Sequence, residues 1–86
     1  PALFKSSLSV GEIYWVSEEA PPLPLSCAAK VRYRQADQAC TLSDSAQCGY
    51  RVDFDKLQRA ITPGQSVVFY QNDRCLGGGV IAQTGP

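Results

Sequence analysis

The chain has 86 residues, eight Lys and Arg balanced by eight Asp and Glu, and no histidine. That length supports one modest core in a single domain, residues 1–86, and leaves no room for a nucleotide-binding fold beside it. Zero net charge excludes a basic field over the whole surface, so any nucleic-acid contact must come from a local patch; the missing histidine removes the commonest general base and metal ligand. There is no Met even at position 1, which is what an excised piece of a larger protein would show. No signal-peptide pattern and no apolar run of the ~18 residues that span a membrane is present.

In chain order, residues 7–10 and 13–16 are β-branched or aromatic and are separated by Gly11, so both are expected as short strands. Residues 18–24, with Pro21, Pro22 and Pro24, must form a loop, because proline removes backbone donors. Residues 25–35 alternate: Cys27, Ala29, Val31 and Tyr33 point one way, Lys30, Arg32 and Arg34 the other. Residues 40–43 and 49–54 read as a hairpin around the polar cluster at 44–47, with Tyr50, Val52 and Phe54 on one face and Arg51 and Asp53 on the other. Residues 55–60 are the best helical candidate, one turn between strands.

Pro63-Gly64 fits the centre of a type II turn. Residues 66–70 form the next strand, Asn72-Asp73 turn the chain, and residues 75–83 return. Gly77-Gly78-Gly79 interrupt that last strand and read as a barrel corner. They do not read as a phosphate loop, which needs spaced glycines, Lys-Ser/Thr and a following helix. Six or seven short strands with glycine corners predict an all-β fold, a small closed barrel.

The segment Lys30-Val31-Arg32-Tyr33-Arg34-Gln35 carries the most chemistry. Period-two geometry sets Lys30, Arg32 and Arg34 in a row, about 6.5–7 Å apart, close to the step between successive phosphates of a nucleic-acid strand. The plain alternative is a solvated strand face whose long side chains cover apolar surface. Tyr33 either packs with Val31 in the core or stacks on a base. Gln65, beside the Pro-Gly turn, either presents its amide to phosphate, ribose or base, or is only an exposed turn residue.

Catalysis has little to work with. No histidine activates a Ser or Cys, and no two carboxylates pair convincingly. Cys75, beside Arg74, is the best redox nucleophile by sequence. Cys27, Cys40, Cys48 and Cys75 contain no Cys-x-x-Cys, which argues against zinc. They are read as small reduced core side chains, with a secreted, disulfide-bonded β protein as the alternative.

Three blocks of the sequence resemble consecutive blocks of the tRNA-specific 2-thiouridylases: residues 27–35 (CAAKVRYRQ), 60–70 (AITPGQSVVFY) and 75–81 (CLGGGVI). Tyr14-Trp15-Val16, Cys40-Thr41 and Val52-Asp53-Phe54 fall in register with them. The resemblance implies the C-terminal domain of a three-domain enzyme, a barrel similar to the second domain of elongation factor Tu. It implies a parent that makes 2-thiouridine at the wobble position with ATP, magnesium and persulfide sulfur, all handled by an N-terminal catalytic domain outside this chain. This fragment would itself hold no cofactor and no catalytic residue. Its partners would be tRNA and its own catalytic domain, with a persulfide-carrying donor serving the parent and no membrane. It would be a monomer, in bacterial cytoplasm or an organelle. Matched by position, tRNA contacts would fall on Arg32, Tyr33 and Gln65; Lys30 and Arg34 rest on the charge row alone. The other readings are a barrel that only scaffolds its parent and the secreted disulfide protein. Ala39, and Asp44-Ser45-Ala46-Gln47-Cys48, depart from the family pattern and leave the register of that hairpin open.

Overall fold

In the computed structural model, residues 4–17, 19–31, 36–45 and 49–85 are described. They form seven strands: β1 (Phe4–Val10), β2 (Tyr14–Trp15), β3 (Leu25–Lys30), β4 (Gln38–Ser45), β5 (Gly49–Arg59), β6 (Ser66–Gln71) and β7 (Arg74–Gly85). All pairings are antiparallel, in the order β1-β5-β4-β3-β6-β7. Because β1 also pairs with β7, the six strands close into a barrel, which removes their free edges. The short β2 continues beyond β1 along β7, with Tyr14 opposite Gly78. The expected closed barrel is therefore formed.

Alternation places the core. Val10, Leu42, Val52, Val67, Phe69 and Ile81 are fully buried, while their neighbours Arg51, Asp53 and Val80 face outward or sit at the surface. Each such apolar side chain contributes about 1.5–3 kcal/mol on leaving water. Trp15 closes against Tyr50 edge-to-face, ring centroids 6.0 Å apart.

The helical turn expected at residues 55–60 is not formed; β5 runs on to Arg59. Phe4 and Lys5 pair with Arg59 and Gln58, and a ladder stabilises this segment where one isolated helical turn would not. The register is irregular there: a step from Lys5 to Ser7 is matched by Gln58 to Asp53 on β5. Gln58 points inward and is buried, donating to Gln38 Oε1 at 3.3 Å and to the Lys56 carbonyl at 3.0 Å. Two further spans differ from expectation. Only Tyr14–Trp15 of residues 13–16 is strand, and β3 ends at Lys30, with residues 32–35 outside the described residues. The β4–β5 hairpin pairs Ser43 with Arg51, Asp44 with Tyr50 and Ser45 with Gly49, so the polar cluster starts inside β4.

The three glycines lie within β7, and their purpose is close approach on both sides. A Cβ on Gly79 would sit 2.5 Å from the Glu12 carbonyl oxygen and 2.6 Å from Val10 Cγ1, and one on Gly78 would meet the Val67 carbonyl at 2.8 Å. The predicted corner is thus a side-chain-free strip that lets β2 and β6 flank β7, with a bulge where Phe69 pairs with Gly77 and Tyr70 with Cys75.

Candidate nucleic-acid interface

The β3–β6 register decides what the candidate residues share. Lys30, the last residue of β3, pairs with Val68, and Gln65 stands three residues before Val68, immediately ahead of β6. Both therefore belong to the same end of the barrel, roughly 10 Å apart along the strand direction. Arg32, Tyr33 and Arg34 follow Lys30 in sequence and lie outside the described residues.

The same end collects other cations. β4 begins there and β5 ends there, since Ala29 pairs with Gln38 and Cys40 with Phe54. β1 begins there too, Lys5 pairing with Gln58. Among the described residues this end carries Lys5, Lys30, Lys56 and Arg59 against Asp37 and Asp55. The opposite end carries Glu12, Glu19, Asp44 and Asp73 against Arg74. Arg51 lies between and is committed: its Nε stands 3.0 Å from both oxygens of Asp53, a hydrogen-bonded pairing that raises its pKa further above the ordinary value. A chain of zero net charge is thus polarised along the barrel axis. Nothing in the sequence alone marked Lys5, Lys56 and Arg59, because a helical reading of residues 55–60 hid the strand end on which two of them stand.

Lys30 is partly engaged. Its Nζ lies 3.4 Å from Asp37 Oδ1 and 5.6 Å from the centroid of the Tyr70 ring. Tyr70 faces Ala28 across the ladder, so it is the diagonal neighbour of Lys30 on the outer face. Lys30 therefore does not stand as a free cation.

Gln65 sits beside the Pro63-Gly64 turn, where Gly64 has φ 93°, as the type II turn requires. The Gln65 amide N–H donates to the Thr62 carbonyl at 3.3 Å, and the Thr62 N–H donates to Gln65 Oε1 at 3.0 Å. The side-chain acceptor is thus engaged in bracing the exposed turn. Its Nε2 has no acceptor among the described residues, leaving two donors for an outside partner.

A second cluster lies within the wall. Cys27 pairs with Cys40 across β3 and β4, their sulfurs 3.8 Å apart, and both are free thiols. Cys75 is also free, while Cys48 lies outside the described residues. Among the described residues no group of His, Cys, Asp or Glu could hold a metal ion, and no helix is long and apolar enough to cross a membrane.

Comparison with known proteins assigns this barrel. A family model described as "Aminomethyltransferase beta-barrel domain" matches residues 5–81. The tRNA-specific 2-thiouridylase MnmA of Pseudomonas fluorescens (strain Pf0-1) is 58% identical over 86 residues, covering 100% of this chain and 23% of the relative. The protein of the same name from Stutzerimonas stutzeri (strain A1501) is 57% identical over 86 residues, with the same coverage. That of Francisella tularensis subsp. novicida (strain U112) is 58% identical over 81 residues, 94% of this chain and 23% of the relative. This chain therefore spans about a quarter of the length of the relatives it matches. With a closed barrel, the matched family model and this identity over its whole length, the chain belongs to the aminomethyltransferase beta-barrel domain family, in the form of the C-terminal barrel of tRNA-specific 2-thiouridylases.

Proposed function

We propose that this domain docks tRNA for a parent enzyme that converts the wobble uridine to 2-thiouridine, using ATP and persulfide sulfur bound elsewhere in that enzyme. The observation that carries this reading is the polarised barrel. One end gathers Lys5, Lys30, Lys56, Arg59 and the Gln65 amide donors, and in sequence Arg32-Tyr33-Arg34 come after Lys30 and Val31. Cations at such a patch supply sequence-independent affinity by displacing counterions, and the amide and aromatic groups orient the strand. A patch of this size positions RNA and leaves reading of the tRNA's identity to other parts of the parent. In this reading Arg32, Tyr33 and Gln65 contact tRNA, and Arg34 reinforces them. Lys30 contributes less, because Asp37 already shares its charge.

The test is made in the parent enzyme. Arg32→Ala and Gln65→Ala should each weaken tRNA binding, roughly 5- to 150-fold by the usual cost of about 1–3 kcal/mol for a lost polar contact. ATP affinity should not change. Unchanged tRNA affinity in both variants would defeat the reading.

The scaffold reading has its own observation. Tyr14 is 82% exposed, Val16 67% and Val80 56%, and together they form an apolar surface over β2 and β7. Such a surface suits packing against the rest of the parent. Weakened interdomain packing with unchanged tRNA affinity in a Tyr14→Ser, Val16→Ser variant would assign it to that role.

A further inference from the structure

The two thiols in the wall are arranged for more than filling space. Cys27 and Cys40 are directly opposed on antiparallel strands. Opposed residues there have Cα atoms about 4.5–5.5 Å apart, inside the span of about 4.4–6.8 Å that disulfides bridge. The backbone already stands in bridging position. Starting from 3.8 Å, the sulfurs need close by only about 1.8 Å to reach bonding distance, a movement within reach of side-chain rotation.

The pair is also asymmetric. Cys40 is 3% exposed, whereas Cys27 is half-buried. Either thiol can donate across this contact, but once Cys27 is ionised only Cys40 can, and that hydrogen bond holds the Cys27 thiol below its ordinary pKa even though burial opposes this. That same hydrogen bond, then burial, then the charges of Cys27 and Asp55, push Cys40 well above the thiol range. One sulfur is reachable and inclined to be a thiolate, while its neighbour is protonated and shielded.

We propose that Cys27 and Cys40 form a reversible dithiol–disulfide couple that exchanges with low-molecular-weight disulfides and, when oxidised, staples β3 to β4. The couple goes beyond the RNA-docking reading and does not depend on it. The Cys27 thiolate attacks one sulfur of the small disulfide; the S–S bond breaks, and the departing thiolate takes up a proton. Cys27 then carries a mixed disulfide. Cys40 releases its proton to solvent, its sulfur attacks Cys27 Sγ, the mixed S–S bond breaks, and the second small thiolate leaves and takes up a proton. In sum the two protein thiols lose two electrons and two protons, and the small disulfide gains both to become two thiols. The bridge would sit at the foot of the β3–β4 connection, whose sequence contains Arg32, Tyr33 and Arg34.

Cys75 serves as the internal comparison, because it lies on β7 opposite Tyr70 of β6, and β6 separates it from β3. The experiment uses the full-length protein that carries this domain, equilibrated natively in mixtures of reduced and oxidised glutathione. Free thiols are then trapped by alkylation and the peptides are mapped by mass. The expected result is a linked pair of Cys27 and Cys40 peptides, lighter by two hydrogen atoms and separated again by dithiothreitol. In Cys40→Ser, Cys27 should accumulate as the mixed disulfide. In Cys27→Ser, Cys40 should react at least roughly tenfold more slowly than Cys27 does in the parent, being shielded, with burial and the Asp55 charge still disfavouring its thiolate. Wild-type protein in which Cys27 is modified while Cys40 stays free would overturn the proposal, as would both remaining free while Cys75 reacts. No RNA enters the measurement, so its failure leaves the docking reading untouched, and failure of tRNA binding leaves the couple untouched.

Discussion

Lys30 and Asp37 bridge the two sides of the β3–β4 connection, Nζ to Oδ1 at 3.4 Å, about a third of each side chain remaining exposed. An ion pair this open contributes less than about 1 kcal/mol to stability. Its effect on binding is larger in kind, because Asp37 places a negative charge beside the proposed RNA patch. Asp37→Asn in the parent should therefore tighten tRNA binding, by roughly two- to fivefold at low salt, with the gain fading as salt rises. A binding titration at two salt concentrations checks this. Weaker binding in the variant would mean that Asp37 organises the patch more than it opposes it.

Polarisation of the barrel makes a second prediction. A Lys56→Ala, Arg59→Ala double variant removes two exposed cations from the proposed RNA end, whereas Arg74→Ala removes one from the other end. The first should lower tRNA affinity and flatten the slope of log affinity against log salt by up to about 2. Arg74→Ala should leave both unchanged. Equal losses in the two variants would show that position along the barrel does not matter.

The thiol pair predicts a pH profile. The hydrogen bond from Cys40 stabilises the charged form of Cys27, so alkylation of Cys27 should rise with pH at lower values than for an ordinary thiol. In Cys40→Ala that bond is gone while the shielding by neighbouring residues largely remains, and burial disfavours the thiolate. The profile should move to higher pH, and the rate at neutral pH should fall. Rates of iodoacetamide labelling across pH, read by peptide mapping, decide the sign; an unmoved profile would show that the bond carries no weight.

Gly79→Ala should destabilise the domain by about 1–3 kcal/mol, the usual cost of overpacking. Its new methyl group meets the Glu12 carbonyl and Val10 Cγ1 at less than contact distance. For a domain of this size that is a fall in melting temperature of roughly 4–8 °C per kcal/mol. Gly11→Ala, where a Cβ has open space, provides the control. Thermal unfolding followed by circular dichroism reads both, and equal stability of the two variants would refute the close-approach account of the glycine run.

Much of the barrel was legible before any coordinates. The period-two pattern of Val52 and Phe54 against Arg51 and Asp53, the Pro63-Gly64 turn and the Asn72-Asp73 turn each record a local constraint. Residues 55–60 have an ambiguous propensity over so short a window, so a helical turn is expected where the structure has strand. Their state was decided by Phe4 and Lys5, more than fifty positions away in the chain. Of the candidate site, the cation row and Gln65 could be named from sequence, and Asp37 as the partner of Lys30 could not.

Composition and alternation by themselves determined an all-β chain with one apolar face per strand, because a strand's side-chain period depends only on its own backbone. Tertiary structure alone decided that Lys5, Lys56 and Arg59 join Lys30 at one end and that Cys27 meets Cys40. Those relationships depend on strand order and register, which arise when distant segments pair and which no local window contains.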